Sequence, residues 1–325
     1  MIKAPLIFND LSLIEADSVD TARHWFTETI KAIAELIQQQ VCTSVLYAKQ
    51  DLYEILITDE YGFVEWLDEL DQRDELRILA QRLTTRTPAH AHLVEIQSED
   101  FCRSEFRLKT PSKPTCDALG VALISDGISV SLPSQPQWCT IFIEIEQILY
   151  DAELNPENTV QHRVRSVSQV EHVDPVVRDW RRGVGEKSDH AKDLLMRWEV
   201  AFPHLDLCCE YQEKFLSPLK GETFKSVLRR LRQLDDSCHV WIIEEQADIV
   251  YSMRARPDSR ETMKRESLAN LRLATCPKNG EQYFVMHCDI QPKGYRLYWF
   301  EDSQRRRLTI CYAGPHLETV GLKAQ

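Results

Sequence analysis

The chain has 325 residues, 43% of them hydrophobic and 28% charged, so it can bury a core and is not a disordered polymer. No run approaches eighteen apolar residues and there are only 10 glycines, which argues against membrane-spanning helices and Gly-rich phosphate loops. The net charge of −12 excludes a general nucleic-acid coat, but that charge is uneven: residues 1–100 carry 19 Asp/Glu against 8 Lys/Arg, whereas residues 251–325 carry 13 Lys/Arg against 8 Asp/Glu.

In chain order, the start, Met1-Ile2-Lys3-Ala4-Pro5, lacks the apolar stretch of a secretory signal. Phe26, Ile30, Ile33, Ile37 and Val41 recur at helical spacing and predict a helix over 20–41, with Asp20 as its N-cap. Strands are expected over 43–48 and 52–58, then short helices over 61–67 and 74–84. Residues 101–117, with "RLKTPSKPTCD", read as a connector. Apolar runs at 119–124, 128–132, 138–148 and 160–167 predict a sheet, and Asp126-Gly127 predicts a tight hairpin between the first two. In "IFIEIEQ", Ile141, Ile143 and Ile145 share one face, with Phe142, Glu144 and Glu146 on the other.

Beyond Asp174-Pro175, a cap followed by an early proline, the pattern turns helical. The segment 188–199 reads as a helix ended by Pro203, and 221–234 as an amphipathic one. The apolar stripe of the latter is Phe224, Val227, Leu228, Leu231 and Leu234, with Lys225, Arg229, Arg230 and Arg232 off it. A helix over 260–273 and strands over 283–290, 295–300 and 307–313 complete the chain. The expected fold is α+β: a small acidic α/β domain over 1–100, a connector over 101–117, and a larger mixed domain over 118–325 that ends in an antiparallel sheet at about 280–318.

The ten cysteines are scattered, only Cys208 and Cys209 are adjacent, and no CxxC pair occurs. With no secretory signal, this predicts a cytoplasmic chain with free, largely buried thiols and no structural zinc. His90-Ala91-His92, with His162 and His172 as distant partners, lacks a third ligand at a recognised spacing, so neither a metal nor a cofactor is expected. Asp126, Glu144 and Glu146 lie on or beside neighbouring predicted strands, as a Mg²⁺ nuclease would need, but Glu144-Ile145-Glu146 lacks the lysine that would complete such a site.

The richest chemistry lies near the end, in "GYRLYWFEDSQRRRLTICYAGPH". Arginine forks suit phosphate, so Arg296, Arg305, Arg306 and Arg307 are candidate phosphate holders. Tyr295, Tyr298 and Trp299 are candidate stacking platforms for unpaired bases, and His316 is a candidate acid/base group. "GYRLYWFED", a short turn and "RRLTICYAGPH", preceded by "EQYFVMHCDIQ", resemble the closing strands of RelE/ParE-type toxins over about the last forty-five residues. The resemblance implies RNA cleavage at the ribosome or gyrase binding, with Arg296, Arg307 and His316 at the matching positions. Those toxins are much smaller and begin with a helical hairpin. The overall layout resembles large prokaryotic proteins of defence neighbourhoods. Two functions are therefore expected. One is a toxin- or defence-like protein whose basic sheet binds RNA or another polyanion, with metal-free RNA cleavage as its enzymatic form. The other is a non-enzymatic interaction subunit that meets a protein partner through the acidic N-terminal domain or helix 221–234.

Overall fold

The computed structural model describes residues 2–93, 101, 103–150, 158–188, 190–208, 210–211, 216 and 218–321. The chain is α+β and divides into two compact units, Ile2–Trp180 and Arg181 onward.

In the N-terminal unit the elements are β1 (Leu6–Phe8), α1 (Val19–Gln38), β2 (Val45–Tyr47), α2 (Phe63–Glu69), α3 (Glu75–Arg82), β3 (Thr84–Arg86), β4 (Ser104–Leu108), α4 (Asp117–Ile124), β5 (Ile128–Val130), β6 (Phe142–Leu149), β7 (Asn158–Val167) and α5 (Val173–Glu186), and the division falls within α5. The strands form one seven-stranded sheet in the order β3-β2-β1-β5-β7-β6-β4. From β3 to β7 the neighbours are parallel, and β6 and β4 add an antiparallel edge. β1 lies at the centre of the parallel part and is buried on both faces, so all three of its residues are apolar. Ala22, Phe26, Ile30, Ile33 and Leu36 form the buried face of α1.

The division replaces the expected connector over 101–117. Ser104–Leu108 pairs with β6 from Leu149 to Ile145, and the same sheet holds strands from both sides of the connector. Leu119–Ile124, expected as a strand, is helical, because Gly120 and Ala122 let this short apolar helix pack close: a Cβ on Gly120 would stand 2.3 Å from the Phe106 ring. Asp126-Gly127 therefore joins a helix to a strand and forms no hairpin. Ser18, not Asp20, caps α1, its hydroxyl accepting from the Thr21 N–H. The expected strand 52–58 is a 3-10 turn followed by a single Leu56–Gly62 bridge. The alternation in β6 holds: Ile143 and Ile145 are buried, while Glu144 is exposed.

In an open parallel sheet the crevice for ligands lies where the strand order reverses, beyond the strand carboxyl ends. Here that point lies between β1 and β5, and its two loops bond each other. Asn9 donates to the Ser131 hydroxyl (3.1 Å), the Leu132 N–H to the Ser12 hydroxyl (3.0 Å), and the Ser134 hydroxyl to the Ser12 carbonyl (2.7 Å). Asn9, Ser12 and Ser131 are fully buried, so the crevice is filled by its own polar groups.

In the C-terminal unit the elements are α6 (Ala191–Met196), α7 (Trp198–Ala201), β8 (Leu205–Leu207), α8 (Gly221–Ile243), β9 (Arg256–Pro257), α9 (Arg260–Lys264), α10 (Glu266–Ala269), β10 (Leu273–Cys276), β11 (Gly280–Tyr283), β12 (Met286–Ile290), β13 (Tyr295–Asp302) and β14 (Arg307–Pro315). A five-stranded sheet runs β8-β14-β13-β12-β9, antiparallel except for β8 beside β14, and β10 and β11 form a separate hairpin. Helix α8 runs nine residues beyond the expected end, and Phe224, Val227, Leu228, Leu231 and Leu234 pack in the core with Cys288, Leu297 and Trp299. That stripe is buried, as its helical spacing predicts. Between β13 and β14 the register shifts: Tyr298 faces Tyr312 but Trp299 faces Ile310, leaving Cys311 as the extra residue of a β-bulge.

Candidate anion-binding site on the C-terminal sheet

The antiparallel ribbon separates the predicted site into two ends. Arg296 faces Gly314, whereas Arg307 faces Asp302, six residue steps away. At about 3.3 Å of rise per residue, roughly 20 Å of strand lies between them. His316 is at the Arg296 end, its N–H donating to the Gly294 carbonyl. Arg296 and His316 therefore share one end of the ribbon with Tyr295, and Arg305, Arg306 and Arg307 lie at the other.

At the turn end the arginines are already engaged. Asp206 on β8 receives Arg307 at 3.0 Å and Arg305 at 2.9 Å, and Asp302 receives Arg305 at 3.5 Å. Arg306, with a φ of 49°, occupies the left-handed turn position and donates to the Glu245 carbonyl at 3.4 Å. Arg307 and Asp206 line a groove of about 710 Å³ that also holds Lys278, Trp198 and the exposed Met196. Trp198 donates its indole N–H to the Leu205 carbonyl and the Leu205 N–H bonds Phe202, so those edge groups of β8 are closed to a further strand.

The predicted stacking aromatics are largely core. Tyr298 and Trp299 are both fully buried, and the Trp299 indole donates to the Tyr251 hydroxyl (2.8 Å). Neither offers a face to a base. Tyr295 is half-buried against the same core.

The other end holds a cluster that sequence reasoning did not find. Cross-strand pairing places Arg256 opposite His287, and Asp289 opposite Arg296. The half-exposed Asp289 carboxylate receives Arg296 at 2.8 Å and Arg256 at 3.3 Å, while Arg230 of α8 donates to the Asp289 carbonyl at 3.1 Å. Arg256 Nε lies 3.3 Å from His287 Nε2, and His287 Nδ1 lies 3.4 Å from the Val285 carbonyl. An arginine N–H can only donate, so Nε2 carries the lone pair and Nδ1 the proton: His287 is the neutral Nδ1–H tautomer. Burial pushes its pKa down to about 4. The His316 ring stands 5.8 Å from that of His287, and the Tyr298 ring 4.8 Å from it. The His316 Nδ1–H donates to the Leu317 carbonyl at 2.6 Å, which leaves Nε2 as the lone pair of its neutral ring. Beneath this cluster Arg272 and Asp258 form a fully buried ion pair.

The cluster could have been suspected from Arg256, His287 and Asp289 as polar residues in otherwise apolar strands. Their convergence rests on a pairing 31 residues apart in sequence, which no local pattern reveals.

The carboxylates weighed for a metal are each paired: Asp126 with Arg165 (2.9 Å), Glu144 with Lys109 (2.9 Å) and Glu146 with Lys113 (2.8 Å). Among the described residues no three His, Cys, Asp or Glu group as metal ligands. The His162 ring bonds Gln147, and His172 Nδ1 accepts from the Ser168 N–H. The side chain of His90, like Cys209, lies outside those described. Among the described residues eight cysteines are free thiols, seven of them buried. No helix among the described residues is long and apolar enough to cross a membrane. Compared with known protein families, curated proteins and solved structures, the chain matches none.

Proposed function

We propose that the C-terminal sheet binds a phosphate-bearing polyanion of the single-stranded RNA class at the Arg256–Asp289–Arg296–His316 end, not at the arginine turn. One observation carries this reading: three guanidinium groups meet at a single half-exposed aspartate, so positive charge exceeds negative there. At the turn, Asp206 and Asp302 offset most of the charge. Two arginines spaced by one carboxylate can take a phosphate by sharing or exchanging that partner. RNA is one of the two targets that the RelE/ParE likeness implies.

The reading is one of binding. Metal-free cleavage by a neighbouring 2′-OH needs one group to take a proton and another to give one. Both nitrogens of His287 are engaged, which leaves His316 as the imidazole of this cluster with a lone pair to offer.

Fluorescence anisotropy with a labelled single-stranded RNA tests it. Binding at low salt should weaken as salt rises. The double variant Arg256→Ala/Arg296→Ala should lose at least tenfold in affinity, and Arg305→Ala/Arg306→Ala/Arg307→Ala should stay close to wild type. Absence of binding at low salt, or loss that follows the turn arginines, overturns it. A second reading, a non-enzymatic interaction subunit, is favoured by the exposed apolar loop of the N-terminal unit.

A further inference from the structure

That loop joins β2 to α2 in the N-terminal unit. Residues 51–72 carry eight Asp/Glu and no Lys or Arg. Within them Leu56 is 61% exposed, Tyr53 43% and Val64 37%. These three side chains belong to one local structure. Tyr53 stands edge-on to Phe63 at 5.4 Å, Leu56 bridges Gly62 in the backbone, and Val64 follows in the first turn of α2.

The loop is held firmly. The Ile57 N–H donates to Tyr61, the Phe63 N–H to Ile55 and the Gly62 N–H to the Glu65 carboxylate. A Cβ at Gly62 would stand 2.2 Å from the Ile55 carbonyl, so the two limbs are in direct backbone contact. Ile55, Ile57, Phe63 and Trp66 anchor it from below, each at most 2% exposed. An ordered loop that buries four apolar side chains while presenting three others holds those three in place as a surface.

Charge specifies what covers it. Arg23 pairs with Asp20 and Glu69, and Arg77 with Asp68, so each of these acids behind the loop has an arginine partner. Among the described residues no cation pairs with Glu54, Asp59 or Glu60, all exposed around Tyr53 and Leu56. A nucleic acid or an anionic membrane would be repelled. A segment with apolar side chains flanked by Lys or Arg would bury the first and neutralise the second.

We propose that the Tyr53–Leu56–Val64 knob and its acidic rim form the docking surface for a cationic amphipathic segment of a partner protein. The surface acts in two stages: the rim raises the encounter rate, and Leu56 and Tyr53 hold the complex after contact.

The test uses the full chain and a labelled amphipathic Leu/Lys peptide as probe, with a Lys peptide lacking leucine and a Leu/Glu peptide as controls. The Leu/Lys peptide should bind, and both controls should bind at least tenfold more weakly. Tyr53→Ser/Leu56→Ser and, separately, Glu54→Gln/Asp59→Asn/Glu60→Gln should each weaken binding at least tenfold, while Glu28→Gln/Glu35→Gln on α1 should leave it unchanged. Thermal unfolding of each variant separates lost binding from lost fold. The proposal fails if the Leu/Lys peptide does not bind, if the leucine-free peptide binds equally well, or if folded Tyr53→Ser/Leu56→Ser retains wild-type affinity.

Discussion

Arg256 donates from Nε to Nε2 of His287 across the β9–β12 pairing, at 3.3 Å. The contact fixes two things together: the imidazole is held neutral, and the guanidinium is aimed so that its Nη2 reaches Asp289. His287 is thus a positioning residue for the charge that the proposed anion site uses, and it contributes no charge of its own at neutral pH.

This arrangement makes stability depend on pH with a definite sign. The imidazole faces Arg256, His316 and Asp258, and burial depresses its pKa to about 4 from an ordinary value of 6.5. The unfolded chain takes up the proton first as pH falls. The contribution is therefore complete above about pH 6.5 and is lost as pH drops towards 4, about 3 kcal/mol in all. Carboxylates titrate in the same window, so the comparison is between wild type and His287→Gln. Urea unfolding at pH 7.5 and pH 4.5 should show a smaller loss of stability in the variant, and equal losses would contradict the assignment.

Beneath the site, Arg272 and Asp258 have side-chain exposures of 0% and 3%. Asp258→Ala leaves a buried guanidinium without its carboxylate, although the Leu268 and Glu318 carbonyls still accept from it. Denaturant unfolding should register a cost of about 3–5 kcal/mol. Asp258→Leu/Arg272→Met should recover much of that cost, because the uncompensated charge is gone.

Asp206 restrains two arginines at the ribbon turn. Asp206→Ala frees Arg307 and leaves Arg305 with only its 3.5 Å contact to Asp302; their side chains are 26% and 36% exposed. The variant should elute later than wild type from heparin, through charge that the native protein keeps offset. Unchanged elution would mean that the turn arginines find other partners.

Leu231 is fully buried in the stripe of α8. Leu231→Ala should cost about 2–5 kcal/mol in urea unfolding, as expected of a core position.

Helix α1 and strand β6 were legible because each carries its own period: α1 repeats every three or four residues, and β6 alternates. Leu119–Ile124 misled because a short, wholly apolar run fits a buried strand as well as a buried helix. The unit boundary was obscured by β4, whose sequence SEFRL is polar at the edge of a sheet and gives little contrast with the connector around it. The separation of Arg296 from Arg307, by contrast, was implicit in the sequence. A turn at 302–306 forces residues near the start of one strand to meet those near the end of the next. What no local pattern contained was the meeting of Arg256 with His287 and of Arg307 with Asp206, the latter 101 residues apart.

The bulge at Cys311 makes β14 a strand of two parities. From Tyr312 to Pro315, and from Arg307 to Ile310, the alternation of side chains is offset by one position, so no single odd-or-even rule assigns both ends of the ribbon. Excising that one cysteine would leave every facing pair in place and restore a single alternation along β14, but it would remove the local bend and added twist that the extra residue imposes. Anyone transplanting this ribbon into another scaffold must carry the supernumerary residue with it.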